Sequence, residues 1–120
     1  MPQVNLRYYP GEKMSNVIAG EIAQILPSMV APLLHIQEVE DAHLTTADIE
    51  VFVDEGNRGL DIMTFPLDFA VRIEAMSFPE RASKVQRVSE RIKAELQARY
   101  PSLRFNVWIV LMAAGYSETG

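Results

Sequence analysis

The sequence predicts an α+β fold, a two-layer β-α-β-β-α-β domain in which two helices cover one face of a four-stranded mixed sheet. The chain has 120 residues, 48% of them hydrophobic, which suits one domain (residues 1–120) with one core. Its apolar residues follow strand periodicity in four segments and helix periodicity in two. These segments form two β-α-β halves, residues 2–54 and 69–112, and each crossover helix predicts a parallel pair of strands.

The first half begins with a strand. Residues 2–9 alternate apolar and polar side chains, the period of a half-buried strand. Steps of three and four residues then place one apolar stripe on a helix: Met14, Val17, Ile18, Ile22, Ile25 and Leu26. Pro27 and Pro32 are expected to kink or end this helix, and residues 35–48 to form a helix remnant and loop. Residues 49–54 alternate again and predict the second strand.

The second half opens with a long connection. Residues 55–67 are dense in turn formers, and connections of this length are often functional. Residues 69–75 alternate and predict the third strand. Ser77 and Glu80 have the spacing of a capping box, which predicts that a helix begins there. The apolar stripe of that helix is Val85, Val88, Ile92 and Leu96.

The last predicted strand spans residues 103–112. Its end, residues 107–112, is almost wholly apolar, which predicts a central position covered on both faces. Because both helices are expected on one face of the sheet, the other face needs a cover. That second face is predicted to carry a mixture of charged and apolar residues: Glu50, Phe52, Arg72, Glu74, Asn106, Trp108 and Val110. Such a mixture predicts an oligomer interface with a polar channel or site inside it.

The composition excludes several classes of function. The chain has no cysteine, and His35 and His43, expected at the surface or at helix ends, are too few to predict a zinc site. A net charge of -5, with acids and bases interleaved over residues 80–99, argues against a nucleic-acid partner. Pro27, Pro32 and charged residues interrupt the apolar stretches before the roughly 20 residues that a bilayer requires. We expect a soluble, cytoplasmic protein without a metal or cofactor.

Pro2 is the candidate catalytic residue. Proline is small enough for Met1 to be removed, so the mature chain would begin with a secondary amine. Such an amine acts as a base near neutral pH if partial burial beside apolar side chains lowers its pKa. An enolate oxygen then needs a donor or cation, and a substrate carboxylate needs an arginine or lysine. The candidates, in order of preference, are Arg72, Arg58, Arg7 and Arg104.

With this proline, the duplicated β-α-β layout and its length, the chain resembles the tautomerase superfamily. It is most similar to the branch that contains macrophage migration inhibitory factor and 5-carboxymethyl-2-hydroxymuconate isomerase, over roughly Pro2 to Met112. The resemblance implies a homotrimer with the sheets around a three-fold axis. It also implies that Pro2 shuttles a proton between carbon and oxygen of an α-keto acid or its enol. Asn106 and Trp108 would line the pocket of a neighbouring subunit.

The chain departs from the pattern of that superfamily at two places. The lysine or arginine that relatives often carry between the first helix and the second strand is missing from residues 35–48. The paired arginines of decarboxylating and dehalogenating relatives, near the start of the second helix, are not reproduced either. Phe78 and Glu80 lie in that neighbourhood, with only Arg81 nearby.

Two hypotheses for the function follow. The first is a homotrimeric, cofactor-free keto-enol tautomerase or isomerase in which Pro2 is the base and acid. Arg72 or Arg58 would hold the substrate carboxylate, and Asn106 and Trp108 would wall the pocket. The alternative is a non-catalytic tautomerase-like or ferredoxin-like oligomer that binds a ligand or partner, since ferredoxin-like domains share this element order. Under it, a cross-strand ion pair accounts for Arg72 and a solvated loop charge for Arg58.

Overall fold

The predicted order of strands and helices is confirmed by the computed structural model, which describes residues 2–63, 65–113, 117 and 119. The four strands are β1 (Gln3–Tyr8), β2 (Glu50–Glu55), β3 (Phe69–Met76) and β4 (Phe105–Met112). They form one mixed sheet in the order β2-β1-β3-β4. Within it β1 is parallel to β2, β3 is parallel to β4, and β1 and β3 pair antiparallel at the centre.

The helices lie on one face of the sheet and enclose a single core. They are α1 (Asn16–Leu34), the short α2 (Pro79–Ala82) and α3 (Val85–Arg99). Alternate residues of the two central strands are fully buried beneath α1 and α3: Val4, Leu6, Phe69, Val71 and Ile73. The rings of Phe69 and Phe105 stack with centroids 4.6 Å apart, which ties β4 to this core.

The two prolines of α1 do not end the helix, so that part of the expectation from the sequence is wrong. Pro27 and Pro32 lie inside one continuous helix of 19 residues. The residues around them are buried against the sheet: Leu26, Met29, Val30, Ala31 and Leu34. Packing of this apolar face offsets the hydrogen bonds that the prolines remove.

By length and hydropathy alone, α1 is also long and apolar enough to cross a membrane. The core helix of a soluble protein meets the same test, and seven of the α1 residues are buried inside this protein.

Side-chain capping also differs from the prediction. Ser15 caps α1, its Oγ accepting a hydrogen bond from the Ile18 amide (3.3 Å). The capping box expected at Ser77 is absent, because α2 begins at Pro79 after Phe78, which makes no side-chain cap. Residues 35–48, expected to be helix remnant and loop, contain two short 3-10 turns, Glu40–Ala42 and Thr46–Asp48.

Strand β4 lies at an edge of the sheet, so its predicted central position is wrong. Its only strand partner within the described residues is β3. Phe105, Val107, Ile109 and Leu111 pack against the core from one face, whereas no helix or strand among the described residues covers the opposite face of β4. The apolar run that predicted a central strand therefore belongs to an edge strand whose second face is open.

The face of the sheet away from the helices carries the residues predicted for it. The strand register places Phe52, Asn5, Arg72 and Trp108 in one row across all four strands. In this single chain, Phe52 is 49% exposed and Trp108 is 62% exposed. The uncovered face thus combines large apolar side chains with charges, as the strand alternation predicts.

Candidate functional site

Pro2 is buried and lines a recess of about 200 Å³ at one end of the sheet, where β1 and β2 begin and β3 ends. Its carbonyl accepts a hydrogen bond from the Glu50 amide (3.2 Å), which fixes it at the start of the β1–β2 pairing. Because β3 is antiparallel to β1, the last residues of β3 lie at this end of the sheet. Because β2 is parallel to β1, the segment before β2 lies there as well. The residues that line the recess with Pro2 are Asp41, His43, Leu44, Asp48, Met76 and Arg81.

Arg81 is the cation of this recess and is only 2% exposed. Its Nε donates to the Leu34 carbonyl (2.9 Å) and its Nη1 to the Met76 carbonyl (3.0 Å). The guanidinium also lies 5.0 Å from the centroid of the Phe78 ring. Burial lowers the pKa of Arg81 from its ordinary value. Within the described part of the chain no carboxylate lies within ion-pair distance of Arg81, although Asp41 and Asp48 line the same recess.

The two carboxylates of the recess differ in their surroundings. Asp48 Oδ2 accepts hydrogen bonds from the Thr45 amide (2.7 Å) and the Thr45 hydroxyl (3.2 Å), so this carboxylate holds the turn before β2. Asp41 is exposed and has no side-chain hydrogen bond to any described residue. Asp41 is therefore the carboxylate of this recess that is available to act on a bound molecule.

A pair of stacked histidines supports one wall of the recess. The His35 and His43 rings lie 4.9 Å apart. His35 Nδ1 accepts from the Leu44 amide (2.9 Å), so this nitrogen carries no proton. His43 Nε2 donates to the Gln37 carbonyl (2.8 Å), because a carbonyl oxygen can only accept. The pair fastens Leu44 and His43 in place beside Pro2.

The two arginines predicted to hold a substrate carboxylate do not reach the Pro2 recess within this chain. Arg72 lies on the uncovered face, and its Nε donates to Glu74 Oε1 at 3.0 Å. Arg58 lies at the opposite end of the sheet, where its Nη2 is 3.5 Å from Asp68 Oδ1. Arg72 thus forms an ion pair in the single chain, but with a residue of its own strand and not across strands.

The lower-ranked arginines are also remote from Pro2. Arg7 forms ion pairs with Asp61 (2.9 Å) and Asp54 (3.5 Å) on the uncovered face. Arg104 precedes β4, and its guanidinium lies 5.9 Å from the centroid of the Phe65 ring.

Asn106 and Trp108 line a different depression, a groove of about 470 Å³ between β4 and α3. The buried Oδ1 of Asn106 has no hydrogen-bond donor within the described residues. Because β4 is an edge strand, both side chains lie where another chain could reach them.

Sequence reasoning missed most of the recess: Asp41, His43, Leu44, Asp48 and Arg81. The signal that could have found these residues is topological. If β2 runs parallel to β1 and β3 runs antiparallel to it, the residues before β2 and after β3 must lie beside Pro2. Among the described residues, no group of three or more histidines and carboxylates is placed to hold a metal ion.

No protein-family model and no curated protein matches the sequence. Solved structures match over nearly the whole chain. A macrophage migration inhibitory factor-like protein from Entamoeba histolytica aligns over 98% of this chain and 96% of its own, with a TM-score of 0.61 and 14% identity. For a malonate semialdehyde decarboxylase the coverages are 98% and 90%, the TM-score is 0.67 and the identity is 8%.

A fused 4-OT protein, solved as a symmetric trimer, aligns over 92% of this chain and 85% of its own, with a TM-score of 0.63 and 8% identity. At such low identities the likeness establishes architecture. The chain has the fold of the tautomerase superfamily.

Proposed function

We propose that this protein is a cofactor-independent keto-enol tautomerase or isomerase that acts on a small keto acid through the amine of Pro2. The observation that carries the proposal is that Pro2 is buried in a recess that also contains the unpaired cation Arg81. The fold shared with tautomerase-superfamily structures supports it. We also propose a cytoplasmic location, since a chain without cysteine suits a reducing compartment.

Apolar burial and Arg81 favour the neutral amine once Met1 is removed. Leu44 and Met76 are apolar neighbours in the recess, and burial beside them disfavours an ammonium ion. Arg81 lines the same recess and its positive charge disfavours the ammonium further, whereas the carboxylates of Asp41 and Asp48 act in the opposite direction. A neutral secondary amine can take the proton from the carbon next to the substrate carbonyl and return it to the enolate oxygen. The reverse sequence converts the enol into the keto form.

Arg81 is the residue that we assign to the substrate carboxylate, in place of Arg72 and Arg58. Arg81 is buried and forms no direct ion pair with any described carboxylate, so an anionic substrate group can pair with it directly. The backbone carbonyls of Leu34 and Met76 hold the guanidinium in position, so little ordering is needed when the substrate binds.

We further propose a homotrimer in which Asn106 and Trp108 of one subunit complete the Pro2 recess of the next. Three features support it: the apolar edge strand β4, the unpaired Asn106 Oδ1, and the symmetric trimer of the fused 4-OT structure. Arg72 pairs in register with Trp108, so Arg72 would lie near the same junction. This leaves Arg72 a role as a second contact for the substrate.

The test is a comparison of wild type with Pro2→Ala in the keto-enol interconversion of phenylpyruvate, after intact mass has shown that Met1 is absent. Loss of the positioned base is expected to lower kcat/KM by about 100-fold or more. Arg81→Gln is expected mainly to raise KM, because it removes the cation for the carboxylate. Pro10→Ala, a change at an exposed proline beyond the far end of β1, is the matched control and should behave as wild type.

Equal rates for wild type and Pro2→Ala would remove Pro2 from the mechanism. Retention of Met1 in the native protein would block the amine. Either result would favour the alternative, a non-catalytic oligomer that binds a ligand.

A further inference from the structure

Another cavity, a cleft, lies at the end of the sheet opposite to Pro2. It has a volume of about 700 Å³, within the range typical of small-molecule sites. It is lined by residues that follow β1, by the connection between β2 and β3, by α3, and by the segment that leads into β4. The six residues of β1 separate it from Pro2 by about 20 Å, at roughly 3.3 Å per residue.

This cleft concentrates positive charge in an acidic protein. The whole chain has 11 lysines and arginines against 16 aspartates and glutamates. Four of those cations line the cleft, together with only two carboxylates, Glu12 and Asp68. The cations are Lys13, Arg58, Lys93 and Arg104. Converging charges of one sign in a concave surface raise the local concentration of ligands of the opposite sign.

One of the two carboxylates, that of Asp68, already contacts residues of the cleft. Asp68 Oδ2 accepts from the Arg104 amide (2.8 Å), and Asp68 Oδ1 pairs with Arg58 (3.5 Å). The Asp68 amide donates in turn to the Arg104 carbonyl (2.7 Å), so the two segments are fastened to each other. The side chains of Lys13, Lys93 and Arg104 form no ion pair with any described residue. The cleft therefore contains several cations without an ion-pair partner among the described residues, on segments that hydrogen bonds hold together.

We propose that this cleft binds a small anion with two or more negative charges, carried by phosphate groups or by several carboxylates. The guanidinium groups can contact phosphate or carboxylate oxygens with two hydrogen bonds, and the lysines add point charges. The site is separate from the Pro2 recess, and the proposal does not depend on tautomerase activity.

The test is calorimetric titration of the full chain with inorganic pyrophosphate and, separately, with citrate, at low and at moderate salt. Pyrophosphate or citrate is expected to bind with a Kd below about 1 mM and more weakly at the higher salt concentration. Lys93→Gln and Arg104→Gln should each raise the Kd about five-fold or more, because each removes one cation of the cleft. Arg87→Gln is the matched control, since it removes an exposed charge from the same helix outside the cleft.

The identity of the tighter ligand distinguishes a phosphate site from a carboxylate site, and tight binding of either supports the proposal. Absence of binding up to about 10 mM of both anions, well above the expected Kd, would overturn it. An equal loss of affinity in Arg87→Gln and Lys93→Gln would also overturn it, because it would show general attraction to charge. Unchanged affinity in both cleft variants would place the anion elsewhere, for example beside Arg81.

Discussion

At the scale of single residues, two arginines show how differently one type of side chain is used. Arg81 is buried and satisfied by backbone carbonyls, which leaves its charge available to a ligand. Arg7 is exposed, and its Nε and Nη2 donate to the two carboxylate oxygens of Asp61 at 3.1 and 3.2 Å. Tyr9 Oη donates to the same carboxylate at 2.7 Å. The surroundings of Arg81 suit the binding of an anion, whereas Arg7 holds the connection between β2 and β3 in place through Asp61.

The Asp61 cluster predicts how stability depends on pH. The hydrogen bond from Tyr9, with a further contribution from Arg7, lowers the pKa of Asp61 below its ordinary value. A carboxylate whose pKa is lower in the folded state stabilises that state above the unfolded pKa, and this contribution is lost as the pH falls through the folded pKa. The Tm of wild type should therefore fall between about pH 5 and about pH 2, and Asp61→Asn should remove that part of the fall.

The measurement is thermal unfolding of both proteins across this pH range. Glu38→Gln, a change at an exposed carboxylate with no side-chain partner among the described residues, serves as the control and should follow wild type. Parallel Tm curves for wild type and Asp61→Asn would show that the cluster does not couple Asp61 to folding.

At the scale of elements, the connection between β2 and β3 is bound tightly to β1 at its two ends. The Gly56 amide donates to the Tyr8 carbonyl (2.8 Å), and the Tyr9 amide donates to the Asp68 carbonyl (2.8 Å). The buried Tyr9 ring packs directly against Gly56, with the Arg58 guanidinium 5.4 Å from the ring centroid. These contacts therefore fix the two ends of the connection against β1.

This packing predicts opposite effects for two glycine substitutions. A Cβ at Gly56 would overlap the Tyr9 ring, so Gly56→Ala should lower the free energy of unfolding by about 1–3 kcal/mol. A Cβ at Gly20, in the second turn of α1, meets open space, so Gly20→Ala should raise the free energy of unfolding by up to about 1 kcal/mol. Urea unfolding measures both changes. Equal stability of Gly56→Ala and wild type would show that the connection moves away from Tyr9 easily.

At the scale of the whole molecule, the sheet has one covered and one uncovered face. Trp108 and Phe52 are large apolar side chains at the two outer strands of the uncovered face, and one edge of β4 has no strand partner in the part of the chain that the structure describes. Exposed apolar area together with an unpaired edge is unfavourable in an isolated chain and typical of a subunit. The single chain thus buries a hydrophobic core but leaves large apolar side chains exposed on the other face of the sheet.

Sedimentation equilibrium should therefore give the mass of a trimer. Trp108→Glu should shift the protein toward monomer, because it introduces a charge at the proposed interface. Val17→Glu, the same kind of change at an exposed position of α1, should leave the trimer intact. A dimer in wild type would favour the ferredoxin-like alternative, and an unchanged trimer in Trp108→Glu would place that residue outside the interface.

The sequence by itself determined the elements, their order and the two parallel pairs. Side-chain alternation in a strand and three-to-four spacing in a helix are local consequences of backbone geometry, so residues 2–9 and 69–75 revealed their structure without reference to the rest of the chain. The same alternation identified the residues of the uncovered face. The candidate Pro2 also came from the sequence, because its chemistry depends on its place near the amino terminus.

Only the tertiary structure decided what surrounds Pro2 and which strand lies at an edge. Arg81 and Asp41 are far from Pro2 along the chain, and the strand register brings them to one recess. Packing against the sheet carries α1 through Pro27 and Pro32, which no local pattern shows. Similarly, the apolar run of β4 predicts that its side chains are buried. It does not specify whether the same chain or another chain buries them. The same physical reason applies to Pro2, α1 and β4. Local periodicity indicates which side chains are buried, and long-range contacts determine which residues they pack against.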